Sequence, residues 1–154
     1  MDNVGLIGYG VMGKAIAKKL INSNYQVFVY DKNKSEIELA KKQGAFIFWN
    51  HPHWIAQSPG GDVPIDPMHI ELIKNDLIHG IEVVNDTTYS DEALQLAIDY
   101  NLTIMGTSDI HGIIDWQFKT ALGGHRPVTL VFATEKTTKS IKKALFSGRT
   151  AVWY

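Results

Sequence analysis

The sequence predicts an α/β protein with an open, mostly parallel, twisted sheet flanked by helices. Short apolar runs typical of strands alternate with helical periodicity along the whole chain of 154 residues. The first predicted strand ends in a glycine-rich turn that leads into the first predicted helix. A partial (β/α) barrel is the alternative arrangement of the same elements.

The first part of the chain predicts strands over residues 4–7, 26–30 and 46–49 and helices over 11–22 and 35–42. Four prolines and two glycines then mark residues 50–67 as a long loop. Beyond it, helices are expected over 68–75, 90–100 and 138–146, and strands over 81–84, 102–106, 128–133 and 150–153. Residues 109–126 are expected to be irregular, and the last two strands are candidates for antiparallel pairing.

Composition excludes several classes of protein. The chain has no cysteine, which rules out disulfides and thiolate chemistry and fits a cytoplasmic location. No apolar run approaches the roughly 20 residues of a membrane span, and the N-terminus lacks a secretory pattern, so a soluble protein is expected. The net charge of −1 gives the whole chain no electrostatic case for nucleic acid. A monomer or a homodimer fits these properties.

The composition changes near residue 45. Residues 1–45 hold seven lysines against four acidic residues, whereas residues 46–154 hold eight basic and twelve acidic residues. All six histidines and all four tryptophans lie in the second part. Although the length fits a single domain, this shift predicts two fragments of different origin, 1–45 and 46–154.

The stretch GLIGYGVMG carries a G-x-G-x-x-G pattern at Gly8, Gly10 and Gly13. It follows a predicted strand and begins a predicted helix, and an acidic residue, Asp31, comes directly after the second strand. This is the context of a dinucleotide-binding turn in a Rossmann-like fold. The backbone from Gly8 through Tyr9, Gly10, Val11 and Met12 to Gly13 would hold a pyrophosphate at the helix N-terminus. Asp31 would bind the ribose hydroxyls and favours NAD over NADP, a preference that Lys32 tempers.

The stretch GLIGYGVMGKAIAKKLINSNYQVFVYDKN resembles the start of the β-hydroxyacid dehydrogenases, the family of 3-hydroxyisobutyrate and 6-phosphogluconate dehydrogenases. The resemblance covers residues 3–33 and extends at most to residue 45. It implies NAD as a cofactor. The helical domain that carries this family's catalytic lysine has no counterpart in the remaining sequence, so hydride transfer is not expected.

Two short motifs in the second part place metal-binding side chains after predicted strands. His51 follows one strand, and Asp109 and His111 follow another. In an extended chain, residues two apart point to the same side, so Asp109 and His111 are expected to act as a pair. Imidazole and carboxylate groups suit zinc, manganese or iron, and such an ion would activate water and polarise a phosphate.

The stretches FIFWNHPHW, LIHGIEVVND, IMGTSDIHG and GGHRPVTLVFATEKTTKS resemble the later part of a PHP domain, a metal-dependent phosphoesterase of the polymerase and histidinol phosphatase family. The resemblance runs from residue 46 to 154. It places His51, Asp109 and His111 at metal-ligand positions and Glu82 just behind them. His125 and Arg126 would face a phosphate. His53, His69 and His79 are interpreted as surface or loop residues.

The resemblance also implies that earlier PHP ligands are missing, because no histidine precedes His51. The three remaining ligands would hold one ion weakly, and no catalytic residue is assigned. The two resemblances meet within residues 32–45, and so clean a junction favours an engineered chimera that retains NAD and metal binding without evolved turnover. An NAD- or ADP-ribose-binding module and a metal-dependent phosphoesterase are the alternative functions.

Overall fold

The structure is a computed structural model that describes residues 3–7, 11–22, 26–30, 44–56 and 58–154. The chain divides into two compact units, Met1–Ala45 and Phe46–Tyr154, which are described separately. None of the helices in these described ranges is long and apolar enough to cross a membrane.

The first unit contains a strand–helix–strand motif. Strand β1 spans Asn3–Ile7, helix α1 spans Val11–Asn22 and strand β2 spans Gln26–Tyr30. The strands pair in parallel along their whole length, as a crossover through α1 requires. Val11, Met12 and Gly13 form the first turn of α1. The other predicted cofactor residues, Gly8, Tyr9, Gly10 and Asp31, lie outside the described residues. The helix predicted over 35–42 also lies outside them.

The second unit alternates strands and helices. Its strands are β3 (Phe48–Trp49), β4 (Gly80–Asn85), β5 (Thr88–Tyr89), β6 (Thr103–Thr107), β7 (Val128–Val131) and β8 (Thr150–Trp153). Its helices are α2 (Pro67–Lys74), α3 (Asp91–Asp99), α4 (Ile114–Phe118) and α5 (Thr138–Phe146), with a 3₁₀ turn over Thr120–Leu122. The region predicted to be irregular thus contains α4 and the 3₁₀ turn, and the short strand β5 was not predicted.

Strand β4 is the centre of the larger sheet. It pairs in parallel with β3 and β6, and its end pairs antiparallel with β5. Strands β7 and β8 form an antiparallel pair of their own. The described strands therefore form three sheets rather than the one open sheet expected, and they close no barrel.

Threonine side chains join the β7–β8 pair to β6. The Thr129 hydroxyl group accepts from the Gly106 backbone N–H and also donates to the Gly106 carbonyl oxygen, both at 2.9 Å. The Thr150 hydroxyl group donates to the Ile104 carbonyl oxygen at 2.8 Å. These side-chain bonds occupy backbone groups of β6 that would otherwise pair with another strand, which explains why the sheets are separate.

The core of the second unit forms around β4, all six of whose residues are buried. Burial on both faces is typical of a central parallel strand. Helix α3 covers one face with Ala93 and Ala97, and its N-cap Ser90 accepts from the Ala93 backbone N–H at 3.1 Å. The core cluster comprises Val63, Ile81, Val83, Val84, Ala93, Ala97 and Leu102.

Two histidines outside the sheet edge have structural roles. His69 Nδ1 accepts from the Asp66 backbone N–H at 3.2 Å, which completes the N-terminal cap of α2, and its ring stacks on Trp49 at 4.0 Å. His79 Nδ1 accepts from the Ile47 backbone N–H at 3.0 Å. His79 lies in the loop before β4, as interpreted, whereas His69 lies within α2, and both rings are packed and hydrogen-bonded rather than free at the surface.

Gly106 allows β8 to approach β6 closely. A Cβ atom at this position would lie 2.3 Å from Cγ1 of Val152. We expect Gly106→Ala to destabilise the fold by about 1–3 kcal/mol through overpacking, measured by urea denaturation. Gly112→Ala is the matched control, because its Cβ would meet no atom closer than 3.9 Å. Equal stability of the two variants would contradict this packing.

Candidate functional site: a cleft at the carboxyl ends of β3, β4 and β6

The parallel strands of the second unit end at one edge of the sheet, where a cleft of about 510 Å³ opens. His51 and His53 reach it from the segment after β3, Asp86 from the turn after β4, and Asp109 and His111 from the segment after β6. Ligands bind at this edge in open parallel sheets because strand-end loops converge there. The three predicted metal ligands therefore line one cleft.

A buried carboxylate lies directly behind the cleft. Glu82 is only 1% exposed, in the middle of β4. One carboxylate oxygen accepts from the His51 backbone N–H at 2.5 Å and from Asn85 Nδ2 at 3.0 Å, and the other accepts from the Thr107 hydroxyl group at 2.5 Å. Glu82 thus connects the segments after β3, β4 and β6, and its three charge-assisted hydrogen bonds offset the free energy of burying it.

Three residues of the cleft have a left-handed backbone. The φ angles are +33° at His51, +54° at Asp86 and +46° at Asp109. Histidine and the acidic residues adopt this region only with local strain, which surrounding contacts must hold in place. Each of these three residues lies just past a parallel strand, where the loops turn over the cleft.

Two imidazole groups that line the cleft have buried nitrogens without a hydrogen-bond partner. His51 Nδ1 and His53 Nδ1 are both buried without a hydrogen-bond partner in the structure. His53 lies in the loop after β3, as interpreted, but it is only 5% exposed and so is not a surface residue. The signal that could have identified it is its spacing, since it follows His51 by two residues at the end of a strand.

The protonation state of His53 follows from its surroundings. Burial lowers the pKa of His53 below its ordinary value; the Glu82 carboxylate and a hydrogen bond to the Thr88 backbone oppose this shift, and the His51 ring reinforces it. Since Nδ1 has no partner, the bond to Thr88 must come from Nε2–H. His53 is therefore neutral at pH 7, with a lone pair on Nδ1.

The Asp109–His111 pair differs from the expected geometry. Because Asp109 has a left-handed backbone, the segment is not extended as predicted, yet both side chains line the same cleft. His111 Nδ1 lies 2.6 Å from the Asp109 carbonyl oxygen and 4.0 Å from its carboxylate. A carbonyl oxygen can only accept, so Nδ1 carries the proton and Nε2 holds the lone pair.

The predicted metal ligands do not meet at one point in the cleft, and the predicted phosphate-binding residues do not line it. Within the part of the chain that the structure describes, no group of three or more His, Asp or Glu side chains converges closely enough to hold a metal ion. His51, Asp109 and His111 share the cleft without forming such a cluster. His125 and Arg126 are exposed and are not among the described residues that line the cleft, and the His125 ring lies 4.3 Å from that of Trp153.

Residues 3–64 match the family model of the NAD binding domain of 6-phosphogluconate dehydrogenase. The resemblance predicted for the first part of the chain is confirmed. Its extent is greater than expected, because the match passes residue 45 and includes His51 and His53. It covers less than half of the chain. None of the curated proteins compared with the chain matches it.

A solved structure resembles the whole chain. It is a two-domain protein containing a predicted PHP-like metal-dependent phosphoesterase, from Bacteroides vulgatus ATCC 8482, with 28% identity and a TM-score of 0.77. The similarity confirms the PHP resemblance and also extends over residues 1–45. It covers 100% of this chain but 56% of the Bacteroides protein, so this chain spans little more than half of that protein's length.

The hydrogen bonds of Glu82 predict a graded response to substitution. Glu82→Leu leaves three donors unpaired, and we expect a loss of at least about 3 kcal/mol in the free energy of unfolding. Glu82→Gln should lose only about 1 kcal/mol, because the Thr107 hydroxyl group can rotate and accept from the new amide. Glu135→Gln, at an exposed position, is the control. Equal losses for the two Glu82 variants in urea denaturation would contradict this role.

Proposed function

We propose that the chain is a two-part binding protein: the first part binds a dinucleotide, and the cleft of the second part binds one divalent metal ion and a phosphate group. The observation that carries the metal site is the pair of buried, unpartnered imidazole nitrogens of His51 and His53. A lone pair that is withdrawn from water without a donor is stabilised by a cation at that position.

The side chains of the cleft fit a transition metal in chemistry. Imidazole nitrogen and carboxylate oxygen are ligands of zinc, manganese and iron. We propose His51, Asp109 and His111 as the ligands, with His53 as an additional donor that the sequence did not indicate. Because the described ligands do not converge, the chain must rearrange locally to bring them together, and weak binding of a single ion follows.

The residues around the ligands have defined roles in this proposal. Glu82 fixes the His51 backbone, and the Asp109 carbonyl oxygen holds His111 in the tautomer that presents Nε2. A bound ion would supply Lewis acidity toward a phosphate oxygen. The chain offers few groups that could carry out catalytic steps beyond binding, so we propose metal and phosphate binding without evolved turnover. The phosphoesterase named in the Bacteroides protein is the alternative function.

Dinucleotide binding is proposed for the first part of the chain. The match to an NAD binding domain and the parallel strand–helix–strand motif support it. In that context the glycine turn at Gly8, Gly10 and Gly13 would hold the pyrophosphate, and Asp31 would select the unphosphorylated ribose of NAD.

The two resemblances also indicate how the chain arose. We propose a chimera of two fragments, because a dehydrogenase match and a PHP-like similarity occur in one chain and compact units meet at residues 45 and 46. The Bacteroides protein covers the entire chain, which favours natural rather than engineered joining. A cytoplasmic location, and a monomer or homodimer, remain part of the proposal.

Metal binding is tested by titrating Mn²⁺ or Zn²⁺ into the protein by calorimetry. His51→Ala and His111→Ala should each weaken binding by about tenfold or more, since a direct ligand is worth at least as much as the hydrogen-bond partners of ligands. His125→Ala is the matched control, because His125 is exposed and stacks on Trp153. Affinities that do not change in the two cleft variants would remove the metal site.

Hydrolysis of an aryl phosphate with added Mn²⁺ separates binding from turnover. Our proposal predicts no rate above that of the metal alone. A metal-dependent rate that His111→Ala abolishes would instead establish the phosphoesterase alternative.

Dinucleotide binding is tested with NAD, NADP and ADP-ribose by calorimetry. We expect NAD and ADP-ribose to bind more tightly than NADP, because a carboxylate at Asp31 repels the 2′-phosphate. Asp31→Ala should reduce the NAD affinity and remove the discrimination, and Asp62→Asn serves as a control of equal charge change. The absence of heat with all three ligands would exclude this function.

A further inference from the structure

The net charge of the chain conceals a strong local asymmetry. Residues 46–125 carry two basic and eleven acidic residues, whereas residues 126–154 carry six basic residues and a single acidic one, Glu135. Within the second unit, the positive charge is thus concentrated in the segment that forms β7, α5 and β8. A concentration of one sign on one element is the electrostatic feature of a surface that binds a polyanion.

Helix α5 places these charges on one side. Lys139, Lys142, Lys143 and Phe146 follow the i, i+3, i+4, i+7 spacing of a single helical face, and all four are exposed. Ala144 is fully buried on the side that packs inward. The Thr103 hydroxyl group donates to the Leu145 carbonyl oxygen at 2.7 Å, which anchors the helix to β6. We call Lys139, Lys142 and Lys143 the lysine face.

The lysine face opposes the stability of its own helix. Like charges at i, i+3 and i, i+4 repel each other, and Lys139 lies in the first turn, where the helix dipole disfavours a cation. The helix has no acidic residue in that turn. The ion pairs found in the described ranges all involve histidine, so none neutralises these lysines. The Thr137 cap and the place of Lys143 in the last turn favour the helix, but they leave the repulsion among the three lysines, which an anionic ligand would relieve.

Aromatic rings accompany the lysine face. Phe146 is 42% exposed; its ring packs at an angle against those of Phe46 and His79, and Lys142 Nζ lies 5.8 Å from its centre. Phe132, just past β7, is 59% exposed, and its backbone N–H donates to the Arg149 carbonyl oxygen at 2.9 Å. Lysines that bind phosphates beside exposed rings that stack on bases are the combination used to bind single strands.

We propose that the lysine face binds the phosphate backbone of a single nucleic-acid strand. A phospholipid surface is disfavoured, because membrane-binding helices turn a broad apolar face outward, whereas α5 exposes three lysines and only two large apolar side chains, Ile141 and Phe146. The net charge of the whole chain argues against nucleic-acid binding. Salt screens the acidic residues elsewhere from the lysine face, so the local charge governs binding there.

Fluorescence anisotropy of a labelled oligothymidylate tests the proposal in the full chain. Lys139→Glu is the decisive variant, because it places an acid in the first turn of α5, four residues before Lys143 and three before Lys142. We expect it to raise Tm while weakening binding by about tenfold or more. The wild-type affinity should fall with salt with a logarithmic slope of about −2, which corresponds to three phosphate contacts.

A matched pair of triple variants controls for net charge. Lys139→Gln/Lys142→Gln/Lys143→Gln should abolish most of the salt dependence, whereas Lys18→Gln/Lys19→Gln/Lys74→Gln, at three exposed positions, should leave the affinity within about twofold. Equal effects of the two triple variants would overturn the proposal. Tighter binding to phosphatidylglycerol vesicles than to the oligonucleotide would also overturn it, in favour of a membrane.

Discussion

The carboxylate of Glu82 is the interaction on which the arrangement of the cleft depends. It lies at 1% exposure in a strand whose six residues are all buried, and it accepts hydrogen bonds from His51, Asn85 and Thr107. An ionised group in such a place is tolerated only when its acceptor sites are filled. The same bonds that permit its burial hold the segments after three parallel strands at fixed positions.

The hydrogen bonds of Glu82 account for both the order and the backbone strain of the cleft. The backbone of His51 is held by Glu82 while its φ angle is left-handed, and Asp86 and Asp109 have the same conformation at the ends of β4 and β6. Strain of this kind persists where other contacts determine the backbone. The Nδ1 atoms of His51 and His53 are both buried without a partner at the cleft, so the fold leaves polar atoms unsatisfied where a ligand would compensate them.

Periodicity in the sequence predicted helices α1 and α5 and strands β2 and β8 to the residue, because their apolar spacing is regular. The division into separate sheets could not be predicted, since it depends on hydroxyl bonds from Thr129 and Thr150 across the fold. The sequence identified three residues that line the cleft but not His53, whose burial depends on tertiary packing. Asp109 and His111 line the cleft together, but not through the extended backbone that was expected, because pattern alone does not reveal a left-handed residue.

The central claim is that the cleft edge of the second unit binds a divalent metal ion. Anomalous diffraction from crystals soaked in Mn²⁺ tests it most directly. Our account predicts one peak in the cleft, within bonding distance of an imidazole nitrogen of His51 and of Nε2 of His111. A fully occupied peak at another site, or no peak in the cleft at saturating Mn²⁺, would contradict it.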